Sequence, residues 1–210
     1  MAQVLFLAHR YPYPPNKGDK IRAFHIAEHL CKAHEVSLGF TMTPGDGEPD
    51  MTWAEKNFAA HYCGQISSAD RLMRAGVAFA MGVPLSVATF RHGGLMDWVA
   101  AQVREKKPAF IYVFSSAMAQ YVPRELPPET QVILDFVDVD SAKWRQYAET
   151  KLAAQRWFYG TEAKRLLAFD RAAAGRAQAS LFVSEDEKRI FDRLSPETAK
   201  THFAIGNGVD

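Results

Sequence analysis

Cysteine is nearly absent, with Cys31 and Cys63 the only two in 210 residues. They stand far apart without CxxC spacing, which indicates neither a disulfide framework nor a zinc site, and both read as buried thiols of a reducing compartment. Long apolar runs are missing too. No stretch reaches the roughly 18 residues that a bilayer-spanning helix needs, and the one from Ala75 to Val83 that comes nearest carries two glycines. The N-terminus shows no charged segment ahead of an apolar one, so no signal peptide is expected. Net charge is almost nil, at +1 from 25 basic and 24 acidic residues. No basic stripe is interleaved with aromatics, which sets nucleic acid aside as a partner. The first strand-to-helix loop lacks GxGxxG, which weakens a dinucleotide-dependent oxidoreductase.

What is present is the material of a folded domain: 48% hydrophobic and 12% aromatic residues, enough for a sizeable core. Val4 to Ala8, Glu35 to Thr41, His61 to Ile66, Ala109 to Phe114, Gln131 to Asp138, Ala179 to Val183 and His202 to Ile205 read as strands. Helical spacing is carried between them by Ile21, Phe24, Ala27 and Leu30, then by Leu95, Trp98, Val99 and Val103. A long helical stretch from Ser141 to about Ala174 is expected to bend near Gly160 and Thr161. This alternation predicts an α/β fold, a Rossmann-like doubly wound parallel sheet in one domain. Turn formers crowd Thr43 to Asp50. Ser67 to Asp70, and Ser184 with Glu187, are helix-opening capping patterns. The helix from Arg71 to Met81 mixes two arginines with Leu72, Met73, Val77 and Phe79. That is the pattern of a half-buried helix, and also of one lying on an anionic membrane surface. His92-Gly93-Gly94 reads as a helix-entry turn.

Two constellations carry chemistry. The first is the loop His9-Arg10-Tyr11-Pro12-Tyr13-Pro14-Pro15-Asn16-Lys17-Gly18-Asp19-Lys20-Ile21-Arg22, outside the carboxyl end of the first strand, where open α/β sheets place ligands. Prolines stiffen it, Gly18 permits close backbone approach or positive φ, and Asp19 is placed to cap the helix. Lys17, Lys20 and Arg22 add positive charge at a helix N-terminus that already favours anions. The second is Asp135-Phe136-Val137-Asp138-Val139-Asp140-Ser141 at the end of another strand. Helix capping explains Asp140 and Ser141. It leaves Asp135 and Asp138 unexplained, because gathered carboxylates repel unless they cap, bind cations or move protons. Alone, this run looks like the first motif of haloacid-dehalogenase phosphohydrolases, with Asp138 as nucleophile and Asp140 as acid/base over magnesium. That fold needs the motif on its first strand and downstream lysine and acidic motifs, which are not evident.

Leu7 to Arg10 and Tyr13 to Arg22 closely resemble the N-terminal signature of one branch of the family 4 (group 1) glycosyltransferases, the sugar transferases of exopolysaccharide and exosortase-type (PEP-CTERM) gene clusters. Asp135 to Ser141, Lys143, Trp144, Tyr147, Tyr159, Glu162, Arg165-Leu166 and Val183-Ser184-Glu185 match the same signature. The tail Gly206-Asn207-Gly208-Val209-Asp210 resembles the segment that leads from the first domain of these enzymes into the second. The resemblance implies that residues 1–210 are the N-terminal, acceptor-side domain of a GT-B glycosyltransferase, that the C-terminal nucleotide-sugar-binding domain is absent from this chain, and that the chain alone is inactive. It implies transfer from a UDP- or GDP-linked sugar to a lipid-linked or polysaccharide acceptor, without cofactor or metal, in the cytoplasm with peripheral contact at the inner membrane face. His9, Arg10, Lys17, Gly18, Asp19 and Arg22 would line the donor and acceptor cleft. There Lys17 and Arg22 would stabilise the leaving diphosphate, and Asp138, or failing it Asp135, would orient or deprotonate the acceptor hydroxyl. Many family members carry a histidine two residues after the first aspartate. Val137 stands there, so that histidine's role does not transfer. An alternative of another class is a non-catalytic glycan- or lipid-sugar-binding module.

Overall fold

Each of the apolar runs becomes a strand. The computed structural model describes residues 1–47 and 49–208, so Glu48 of the Thr43–Asp50 loop and Val209 and Asp210 of the tail lie outside the described residues. β1 (Gln3–Ala8) leads through α1 (Gly18–Ala33) to β2 (Glu35–Met42), and α2 (Thr52–Asn57) to β3 (Ala60–Gln65). α3 (Ser68–Met81), α4 (Leu85–Ala88) and α5 (Gly93–Lys106) precede β4 (Phe110–Phe114) and β5 (Gln131–Val137). α6 (Asp140–Glu149) and α7 (Ala153–Ala174) precede β6 (Ala179–Phe182), and α8 (Glu185–Leu194) precedes β7 (His202–Ala204). The seven strands form one parallel sheet in the order β3-β2-β1-β4-β5-β6-β7. This is the Rossmann-like doubly wound sheet, and its order reverses between β1 and β4.

The pleat sends alternate residues to opposite faces. Val4, Phe6 and Ala8 pack with Phe40, Ala23 and Ala27 towards α1, while Leu5 and Leu7 pack with Leu95 and Val99 of α5. With both faces covered, the strand reads as a continuous apolar run. Gly39 of β2 lies where a Cβ would come within 3.0 Å of the Leu7 and Trp98 side chains, so glycine lets α5 sit close on the sheet. On the same face as α5, further along the sheet, Phe136, Phe182 and Phe191 pack together, with Phe136 and Phe191 centroids 4.7 Å apart.

The long helical stretch breaks at Thr150–Leu152, not at Gly160 and Thr161. α6 and α7 fold back as a hairpin, with Trp144 stacked on Tyr159 at 5.4 Å, and α7 runs unbroken through Gly160. The expected caps are partly replaced. Ser67 Oγ accepts the Asp70 N–H at 3.1 Å, and Ser184 Oγ the Glu187 N–H at 3.2 Å. Glu187 does not close its box, and its carboxylate takes the Val139 N–H at 2.7 Å instead. Val139 is the N-cap of α6 without a side-chain cap, so Asp140 and Ser141 do not cap it and Asp140 is its first residue. Asp19 likewise leaves the N-terminus of α1 uncapped and sits in its first turn. Gly18 opens α1 with an ordinary φ, and open space surrounds the position a Cβ would take.

Candidate active site

The loops after β1, β4 and β5 meet at the carboxyl edge of the sheet, across the point where strand order reverses. They enclose a cleft of about 260 Å³ lined by His9, Arg10, Asp19, Ser115, Asp138 and Asp140, with Phe90, Phe136 and Val137 as its apolar part. Of the residues singled out in the sequence, His9, Arg10, Asp19 and Asp138 are therefore brought together. His9 follows β1 directly, and its ring stacks on Phe114 at 5.9 Å with Phe90 edge-on at 5.6 Å. Its Nε2 stands 3.3 Å from Asp19 Oδ2, and its Nδ1 is buried without a hydrogen-bond partner. Arg10 reaches between Asp19 at 3.6 Å and Asp46 at 3.9 Å. The hydrogen bond from His9 outweighs burial and brings the Asp19 carboxyl down to about 2, helped by the Lys20 N–H and Arg10. Asp19 is thus a fixed anion that orients the His9 ring and Arg10.

On the opposite wall, Asp138 follows a sharp departure from strand geometry. Val137 has φ 64 and shifts the register between β5 and β6. A β-branched residue in this region is strained. Ser115, at the end of the neighbouring β4, has φ 78 and also lines the cleft. The carboxylate of Asp138 is 45% exposed and accepts a hydrogen bond from Lys143 Nζ at 2.7 Å, while Asp140 stands 3.4 Å from the same amine. Burial pulls the Lys143 pKa down, but the hydrogen bond that Lys143 donates to Asp138 and the charge of both carboxylates outweigh it and raise it. The two acids therefore share a cation supplied by the chain.

Arg22 and Asp135 are placed elsewhere. Asp135 is wholly buried, with its Oδ2 3.0 Å from Arg22 Nε and 2.7 Å from the Tyr112 hydroxyl, and its Oδ1 takes the Val137 N–H at 3.1 Å. Arg22 Nη1 donates to the Ile205 carbonyl and to Asn207 Oδ1, both at 2.9 Å. This network ties α1 to β5 and to the tail, and its groups do not line the cleft. Burial, reinforced by the Asp135 charge, pushes the Tyr112 phenol far above its usual range. Lys17 and Gly18 lie exposed at the start of α1, outside the cleft lining.

Ser115, Phe90 and Lys143 are parts of the site that no motif in the sequence marked as such. Only the spacing of Lys143 from Asp138 and Asp140 could have signalled it, since a lysine three residues into a helix turns back on its first turn. Among the described residues no group of three or more His, Cys, Asp or Glu side chains is placed to hold a metal ion.

A parallel sheet in this order, flanked by helices, is the fold of one half of a GT-B glycosyltransferase. Two solved structures show it. Sucrose-phosphate synthase from Thermosynechococcus elongatus superposes with a TM-score of 0.63 over 100% of this chain and 49% of its own, at 13% identity. UGT73P12 from Glycyrrhiza uralensis, complexed with glycyrrhetinic acid 3-O-monoglucuronide, superposes with a TM-score of 0.51 over 99% of this chain and 49% of its own, at 11% identity. The chain spans about half the length of each, and at these identities the likeness is one of fold. No family model and no curated protein matches the sequence.

Proposed function

We propose that the chain is the acceptor-side half of a family 4 glycosyltransferase of the exopolysaccharide branch. It acts with a C-terminal donor domain to move a sugar from a UDP- or GDP-linked donor to a lipid-linked or polysaccharide acceptor, and neither half needs a resident cofactor or metal. The observation that carries this is the meeting of the first loop and the acidic end of β5 in one cleft at the strand-order reversal, where open α/β sheets bind ligands. Asp138, exposed and at the cleft wall, orients or deprotonates the acceptor hydroxyl. Lys143 holds that carboxylate in place. His9 and Arg10, set by Asp19, contact the sugar or phosphate, and Lys17 at the exposed N-terminus of α1 faces the departing nucleoside diphosphate. The buried Arg22 and Asp135 keep the wall of this cleft rigid and touch no ligand.

The phosphohydrolase alternative fits less well, because Asp138 and Asp140 converge on the Lys143 amine. The enzyme works at the cytoplasmic membrane face, against which the exposed side of α3 docks. The test is transfer itself. Full-length enzyme incubated with UDP- and GDP-linked radiolabelled sugars and a bacterial lipid extract carries label into the organic or polysaccharide fraction. Failure with every nucleotide sugar, combined with saturable binding of the acceptor fraction, would transfer the assignment to a binding module.

A further inference from the structure

A second and larger groove, of about 690 Å³, runs between α6, α7 and α8 and shares no residue with the cleft above. Its volume falls in the range of roughly 300–1,000 Å³ typical of small-molecule sites. The floor is apolar, formed by Leu167 of α7 with Ile190 and Leu194 of α8. The walls are cationic, one charge from each helix: Arg145, Lys164 and Arg193. All three are exposed. Among the described residues none of them makes an ion pair, whereas Lys143, Arg171, Lys188 and Arg189 on the same helices each have a carboxylate within 4 Å. Glu149 alone among the lining residues is acidic. Cations set around one space repel one another and favour an anion between them.

One further observation points into the same space. Gly160 lies inside α7, where glycine weakens a helix relative to alanine. A Cβ there would meet nothing within 4 Å, so packing does not demand the glycine. What its absence of a side chain preserves is the width of the groove it lines.

We propose that this groove binds an amphiphilic phosphate, with the phosphate among Arg145, Lys164 and Arg193 and the hydrocarbon chain along Leu167, Ile190 and Leu194. Arginine supplies the forked donors that suit phosphate oxygens. The apolar floor disfavours a bare anion, and the cationic walls disfavour a neutral lipid. The site does not depend on the transferase reading, and its ligand need not be the acceptor.

Calorimetric titration of the full-length protein with dodecyl phosphate below its micellar concentration tests it. One molecule binds per chain, and inorganic phosphate and dodecyl maltoside each bind at least tenfold more weakly. Arg145→Ser and Arg193→Ser each weaken dodecyl phosphate at least tenfold, and Gly160→Leu, which fills the groove, abolishes binding. Should Gly160→Leu fail to fold, the two arginine variants, at exposed positions, decide the matter. Absence of saturable binding overturns the proposal, as does unchanged affinity in the arginine variants. Inorganic phosphate or the maltoside binding as tightly as dodecyl phosphate overturns it equally.

Discussion

Asp135 is wholly buried and Asp138 is 45% exposed, although they stand three residues apart, because Val137 between them turns the backbone to φ 64. Nothing in Phe136-Val137 announces that turn, since valine disfavours it on steric grounds. The sequence therefore offers two acids, Asp138 ahead of Asp135, and the structure separates them into a cleft group and a strut. A second buried acid illustrates the same scale. Asp170 of α7 is 1% exposed, and burial raises its carboxyl to about 7 against the Ser116 and Ser141 hydroxyls beside it, with the Asp140 charge adding to the rise. An acid with a raised folded pKa holds its proton more tightly when folded. Stability is therefore lost as pH climbs from the unfolded value of about 4 to about 7, on the order of 4 kcal/mol over that window, and is level above it. Asp170→Asn carries no such titration. Melting temperatures from pH 4.5 to 8 are expected to fall more steeply for the natural protein than for the variant. A constant offset between the two curves would contradict this assignment.

At the scale of elements, helix existence was readable from apolar spacing, and helix ends much less so. The break between α6 and α7 carries no glycine or proline, whereas Gly160, the residue that predicted a break, sits in a continuous helix because helix packing outweighs its cost of about 1 kcal/mol. Glu162 and Arg165 have a structural meaning that their motif alone did not reveal. Glu162 accepts the Leu85 and Ser86 N–H groups at 3.0 and 2.9 Å and the Ser86 hydroxyl at 2.8 Å, so it fixes the start of α4. Arg165 donates to the Phe79 carbonyl at 3.0 Å and lies over the Phe79 ring. Held from behind in this way, α3 leaves Leu72, Met73, Val77 and Met81 exposed, next to Trp157, which meets Phe79. Of its two arginines, Arg71 is exposed and Arg74 is half-buried. No helix among the described residues is long and apolar enough to cross a membrane. The proposed docking is thus interfacial, and it rests on apolar contact more than on charge. Sedimentation with vesicles containing phosphatidylglycerol is expected to drop severalfold on changing Leu72 and Met73 to Asp, and less on changing Arg71 to Glu. Equal sedimentation of all variants would remove the membrane from the account.

For the whole molecule, the parallel sheet was legible because strands covered on both faces read as apolar runs. The position of the cleft followed from topology, since the loops after β1, β4 and β5 must lie on one edge. What the sequence left open was which of their polar groups turn inward. In the proposed function Asp138 serves the reaction while Asp135 and Arg22 serve the fold. The most direct measurement compares Asp138→Asn with Asp135→Asn in the complete enzyme, by turnover and by chemical denaturation. Asp138→Asn is expected to lower kcat by roughly a hundredfold or more, the usual worth of a general base, with stability unchanged. Asp135→Asn is expected to cost about 3–5 kcal/mol of stability, because it leaves the Arg22 charge buried without its partner. Full turnover in Asp138→Asn, or undiminished stability in Asp135→Asn, would contradict the account.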